Sequence, residues 1–141
     1  MADVSGVPFS GRPVRNLMGP LGISARGMAQ QQRFLEIIAN NIANAEVTRG
    51  PDGKPYQRQI GVAGTDPVTG QPTTSVVNDT SAFRVEHDPG HPDADEAGNV
   101  LYPNVDIASE TVDLMIARRM HEANATVFQS AKAMLRRSLD I

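Results

Sequence analysis

Two stretches of the chain repeat their apolar residues every seven positions. In residues 21–45, Leu21, Met28, Leu35 and Ile42 form one apolar column, with Ile38 and Ala45 beside it. In residues 106–141, Met120, Val127, Met134 and Ile141 form a column, and Leu114, Phe128 and Leu135 form a second about 100° round the helix, interrupted by His121. Between them lies a small column of Ala117, Asn124, Ala131 and Ser138. A small column flanked by large ones makes a groove for a neighbouring helix. The spacing therefore predicts helices over 21–45 and 106–141, the second roughly 50 Å long if unbroken.

The remainder is punctuated differently. Residues 46–105 hold most of the prolines and glycines and read as turns and short strands. Tyr56–Ile60 alternates, and Thr73–Val77 and Ala82–Glu86 flank a turn-like link over 78–81. Val100–Tyr102 is short and stops at Pro103. Residues 1–20, with Pro8, Pro13 and Pro20, read as an irregular segment. The predicted fold is mainly α, with the terminal helices pairing as a coiled-coil-like hairpin around a small antiparallel β insert, all in one structural domain.

The width of the apolar stripes changes this picture. A two-helix hairpin buries only its own seam, and each Val, Leu, Ile or Met left outside forgoes ~1.5–3 kcal/mol of burial. The chain has six aromatic residues and no Trp, so a self-sufficient globular core is thinly provided for. Other subunits are the simplest cover, which favours an assembling protein over a monomeric enzyme.

Charge and composition exclude several classes. Thirteen Lys and Arg against 16 Asp and Glu give a net charge of −3, without the basic excess of a general nucleic-acid binder. The acidity sits in the loop-rich middle. The absence of Cys removes disulfides, thiolate catalysis and cysteine-ligated metals. No apolar run approaches the ~20 residues of a membrane span, and the start of the chain lacks the charged-then-apolar pattern of a cleaved secretory signal.

Candidate chemistry is sparse. The segment from His87 to Glu96 carries His87, His91, Asp93 and Asp95, all possible metal ligands. A small metal-dependent enzyme built on them is one alternative reading. However, Pro89, Gly90 and Pro92 put them on a turn, where aspartates ordinarily cap backbone N–H groups. A glycine at position 90 matters most if it holds a positive φ. Neither a nucleophile elbow nor a phosphate loop occurs. No catalytic residue, cofactor or metal is therefore assigned. His121 reads as a packed or interface histidine, and the doublets at 118–119 and 136–137 as solvated or inter-subunit charges. Asn40, Asn41 and Asn44 suggest either an amide network or a helix end, because Asn is a poor helix-interior residue. A helical adaptor that does not polymerise is a further alternative.

The segment from Arg33 to Ala45, with Ala39-Asn40-Asn41-Ile42-Ala43-Asn44, resembles the N-terminal signature of the bacterial flagellar rod and hook proteins. Tyr56, Arg58 and Gln59 resemble the stretch that follows it. Gly90, His91, Asp93 and Asp95, then Tyr102-Pro103-Asn104-Val105, and finally Glu122–Ala125 and Lys132–Met134, are similar to family segments further along. The resemblance covers about residues 20–141 and implies a structural subunit of the proximal rod. It implies export through the flagellar type III apparatus without a cleaved signal peptide. It also implies a place in the periplasm-spanning basal body beside the rod proteins FlgB and FlgF and the adaptor FliE. The columns above supply the expected assembly interface: Leu21, Met28, Leu35, Ile38 and Ile42 on the first helix, and Met120, Val127, Phe128, Ala131, Met134 and Leu135 on the second.

Overall fold

The computed structural model describes residues 15–140. The expected irregular segment therefore lies mostly outside the described residues, as does Ile141. Helix α1 spans Arg15–Ala43 and helix α2 spans Ile107–Leu139. The break expected before residue 21 is not seen. Pro20 lies in the second turn of α1, where a proline costs the helix one backbone bond. Helix α1 ends in a turn, with Asn44 N–H donating to Asn40 O at 3.1 Å and Ala45 N–H to Ile42 O at 3.3 Å. Helix α2 starts where Asp106 caps it, accepting from Ala108 N–H at 3.2 Å and from Ser109 Oγ at 2.6 Å. These bonds hold the Asp106 carboxyl below its ordinary pKa. No described helix is long and apolar enough to cross a membrane.

The helices run antiparallel. Asn41 meets Glu110 at one end of the seam. Further along, Gly27 faces Asn124, whose Nδ2 would lie 3.8 Å from a Cβ at position 27. On α2 the residues turned to α1 are Glu110, Leu114, Ala117, His121, Asn124, Phe128, Ala131 and Leu135, all buried or half-buried. These alternate steps of four and three, the spacing of a coiled-coil seam. The groove read from the small column is thus filled by this chain's own α1.

The insert differs from expectation in its pairing. Strands β1 (Gln59–Thr65) and β2 (Pro72–Asn78) form one antiparallel hairpin, in register from Gln59↔Asn78 to Thr65↔Pro72. Strands β3 (Arg84–His87) and β4 (Asn99–Tyr102) form another, with Arg84 opposite Tyr102. The described residues form two two-stranded sheets, not one small sheet. Residues 78–81 do not join a hairpin. Asp79 N–H instead donates back to Arg58 O at 2.8 Å, and its carboxylate accepts from Ser81 N–H at 2.9 Å. Strand β1 begins later than Tyr56 and continues through Gly61 and Gly64, which hid it in the sequence. Gly61 has a packing reason: a Cβ there would sit 2.6 Å from Phe34 Cε1. Its bareness lets the hairpin lie on α1.

The fully buried residues gather at one end of the helical pair. Ile37, Ala45, Val100, Val105 and Ala117 form the apolar core there, with Asn41 and Glu110 buried among them. Beyond this end the seam is only half covered. Leu21, Met28, Leu35, Ile38, Ile42, Phe128, Ala131 and Leu135 are all intermediate in exposure.

Candidate functional site

Asn41 stands in the last turn of α1, and its amide is used completely. Nδ2 donates to Gln59 O at 2.8 Å and to Glu110 Oε2 at 3.1 Å. Oδ1 accepts from Tyr56 Oη at 2.9 Å and from Gln59 N–H at 2.9 Å. A carboxylate could not supply the two donors, nor a hydroxyl the geometry. The requirement explains an Asn in a position that costs helix propensity.

Glu110 comes from the first turn of α2 and is 1% exposed. Burying a carboxylate is costly unless it is paired and hydrogen-bonded. Arg58 provides the pair, with Nε 2.5 Å from Oε1. The same guanidinium reaches Asp79 Oδ2 at 3.3 Å. The bond to Glu110 raises the Arg58 pKa, so the guanidinium stays charged. Burial, with the nearby Glu110 charge, pushes the Tyr56 hydroxyl above its ordinary value and keeps it a donor. Asn104 closes the cluster. Its Oδ1 accepts from Arg58 N–H at 2.8 Å, and its Nδ2 donates to Asp79 O at 3.2 Å and Ser81 Oγ at 2.9 Å.

Four residues singled out in the sequence therefore meet: Asn41, Tyr56, Arg58 and Gln59. Their partner Asn104 stands in the family-like run Tyr102–Val105, whereas Glu110 and Asp79 were not singled out. A Glu in a helix's first turn reads as an ordinary surface charge, so its burial had no local signal. The two readings of the asparagine trio divide between its members. Asn41 makes the amide network, Asn44 Nδ2 donates to Asn40 O at 2.7 Å as part of the helix end, and Asn40 is exposed. Chemically the cluster pairs its buried carboxylate and saturates the Asn41 amide. It ties α1, the segment after it and α2 together at one point.

The residues from His87 to Asp95 do not converge. His87 Nδ1 lies 3.2 Å from Asn99 Oδ1, and His91 Nδ1 accepts from Asp93 N–H at 3.0 Å. Asp93 accepts from Thr48 Oγ1 at 2.8 Å and lies 3.4 Å from Arg49 Nε. Asp95 Oδ1 accepts from Ala97 and Asn99 N–H. Among the described residues no three His, Asp or Glu gather to hold a metal. The alternative of a metal set finds no support here: these side chains shape the turn. The His91 ring also stands edge-on to Tyr102, centroids 6.1 Å apart.

The condition set for Gly90 is not met. Gly90 does not take a positive φ, whereas Gly98 has φ 77°. A Cβ on Gly98 would lie 2.9 Å from Pro89 Cγ and 3.0 Å from His87 Cε1. Gly98→Ala is expected to lower stability by about 1–3 kcal/mol. His91→Gln should cost about 1 kcal/mol or less, and added chelator should leave the urea midpoint within experimental error of wild type. A chelator-sensitive midpoint would contradict this reading.

Outside the seam, α2 carries a second apolar face. Ile116, Met120, Val127 and Met134 are 52%, 50%, 58% and 69% exposed. Beside it a groove of about 380 Å³ runs between α1, β1 and α2, floored by Phe34, Ile37 and Ala117 and walled by Ile60, Ile116 and Met120. The expected interface residues thus split. Phe128, Ala131, Leu135 and the α1 residues belong to the seam within the chain, while Met120, Val127 and Met134 are left outside.

Residues 21–51 match the family model described as flagella basal body rod protein, and residues 96–141 match that of the flagellar basal body rod FlgEFG protein C-terminal region. The chain is 34% identical to the flagellar basal-body rod protein FlgC of Borreliella burgdorferi, over 89% of this chain and 97% of that protein. It is 35% identical to FlgC of Salmonella typhimurium, again over 89% and 97%. With FlgC of Aquifex aeolicus the identity is 32%, over 89% and 96%.

Proposed function

We propose a division of labour within this chain, which belongs to the FlgC family of flagellar basal-body rod proteins. The family is structural, and the chain is a rod subunit of the flagellar basal body. The polar cluster around Asn41 and Glu110 holds each subunit in shape. The outward face of α2 makes the contacts between subunits. The α1 residues from Leu21 to Ile42, with Phe128, Ala131 and Leu135, align the two helices so that this face is presented.

One observation carries the reading. Every buried charge in the cluster is satisfied within the chain, whereas four large apolar residues at heptad-like spacing on α2 are not. Contiguous apolar surface of that kind marks an interaction site. A rod built from such subunits has FlgB, FlgF and FliE as neighbours, receives its subunits through the type III export apparatus without a cleaved signal, and spans the periplasm. The resemblance in the N-terminal and C-terminal segments supports these finer assignments. The test is a clean deletion of the gene in its own cell. Loss of motility with basal bodies stopped before the distal rod and hook is expected. Normal basal bodies in the deletion strain would refute the role.

A further inference from the structure

A cleft of about 440 Å³ opens where α1 ends, between the segment that follows the helix and the start of the β1–β2 hairpin. Gln59 and Asn78 are cross-strand partners, so their side chains share the face of the hairpin on which Gly61 meets Phe34. Both line the cleft, with Asn44 from the end of α1 and Gln57 beside them. These amides keep free capacity. Asn44 Nδ2 donates to Asn40 O at 2.7 Å and Gln57 Nε2 to Asp79 O at 2.7 Å, which leaves both side-chain oxygens as acceptors. Gln59 joins the Asn41 network through its backbone. Among the described residues, neither its side-chain amide nor that of Asn78 makes a hydrogen bond, although Gln59 is half-buried.

The remaining lining sets the kind of ligand. Tyr56 and Phe83 bring half-buried rings to the cleft, and the Tyr56 hydroxyl is already turned to Asn41. Charge is confined to Asp52 and Lys54, both exposed. A cleft without buried charge favours a neutral ligand. Amides that offer donors and acceptors side by side match hydroxyl groups, which both donate and accept. The negative face of an aromatic ring attracts the C–H groups of a sugar ring. An extended peptide would instead be held by a main-chain ladder, but the N–H and C=O of Gln59 are both taken by Asn41. The rim is also fixed in advance, as ligand sites usually are. Gly50 N–H donates to Lys54 O at 2.7 Å, Gly53 N–H to Gly50 O at 3.0 Å, and Tyr56 N–H to Val47 O at 3.0 Å.

We propose that this cleft binds a short segment of neutral glycan. Its sugar rings lie against Tyr56 and Phe83, and its hydroxyls bond to the free amide groups of Asn44, Gln57, Gln59 and Asn78. The site does not depend on the rod-subunit reading, because it uses neither the seam nor the outward face of α2.

The full chain, labelled with nitrogen-15, is titrated in solution with chitotetraose, with cellotetraose and with a blocked tetra-alanine peptide, each to millimolar concentration. Saturable shifts at the side-chain amides of Gln59 and Asn78 are expected with at least one of the two glycans, and the stronger of the two shows whether acetamido groups contribute. Asn78→Ala and Phe83→Leu should each weaken glycan binding about fivefold. Gln32→Ala, an exposed amide on α1 outside the cleft, should not change it. Asn78 is exposed, so its alanine variant keeps the fold, and the dispersion of each spectrum checks this. No saturable shift with either glycan would overturn the proposal. So would shifts confined to residues outside the cleft, an equal response to the peptide, or unchanged glycan affinity in folded Asn78→Ala protein.

Discussion

Val127→Asp is expected to abolish motility while leaving the isolated subunit folded. Val127 is 58% exposed in the single chain, so a carboxylate there is solvated and the unfolding midpoint should stay within about 0.5 kcal/mol of wild type. In the assembled rod the proposed contact covers the same position. A carboxylate buried without a partner either ionises at a cost of several kcal/mol or stays protonated with a raised pKa. The penalty recurs at every copy, so incorporation should fail outright. Under the proposed type III route the chain is exported unfolded, so export should be affected less. Lys132→Asp, exposed and off the stripe, is the control and should be tolerated. Immunoblots of cell, periplasmic and basal-body fractions, with swimming assays, read the outcome. Swimming cells with Val127→Asp protein in their basal bodies would show that this face is not a contact.

The sequence shows the apolar columns but does not show which column turns inward. Met120, Val127 and Met134 are as hydrophobic as Leu114, Phe128 and Leu135. What decides is the small column. Ala117, Asn124 and Ala131 let α1 approach, and the columns nearest its approach become the seam. Leu114, Phe128 and Leu135 are drawn in with it, and the Met and Val column is left out. The helices themselves were legible because a seven-residue apolar period held over several turns is the mark of a helix packed along one side. The first hairpin was not, because Gly61 and Gly64 weaken the strand pattern. Only the approach of Phe34 shows why a glycine stands there.

The polar cluster was legible in halves. Asn41 was visible as one of three asparagines in a helix, and Tyr56, Arg58 and Gln59 were visible only through the family resemblance. Glu110 lies 52 residues beyond Arg58 in the chain, and nothing local distinguishes it from Asp113 or Glu122. Long-range burial of a charge is a property of the packing, so it becomes readable only when α1, β1 and α2 are brought together.

Arg58→Leu is the substitution expected to cost the single subunit most. It leaves Glu110 buried with only the Asn41 amide, and removing one partner of a buried ion pair typically costs about 3–5 kcal/mol. Arg58 is itself about a quarter exposed, so water can reach the vacated space and the loss should fall near 3 kcal/mol. Glu110→Leu alone should cost less, because Arg58 keeps Asp79 and solvent. The double variant should recover part of the loss, since no charge is then stranded. Urea unfolding followed by circular dichroism, run as a double-mutant cycle, gives all three values. An Arg58→Leu protein as stable as wild type would mean that the cluster does not hold the helices together.

The separation between an inward seam that shapes the subunit and an outward stripe that joins subunits is tested most directly by methionine oxidation. Met120 and Met134 lie on the stripe and are half or more exposed in the single chain, whereas Met28 is half-buried in the seam. Peroxide treatment of purified subunit and of isolated basal bodies, followed by mass spectrometry of the peptides, compares each residue in both states. Met120 and Met134 should oxidise readily in the free subunit and become protected at least tenfold in basal bodies, with Met28 changing little. Equal oxidation of Met120 and Met134 in the two states would contradict it.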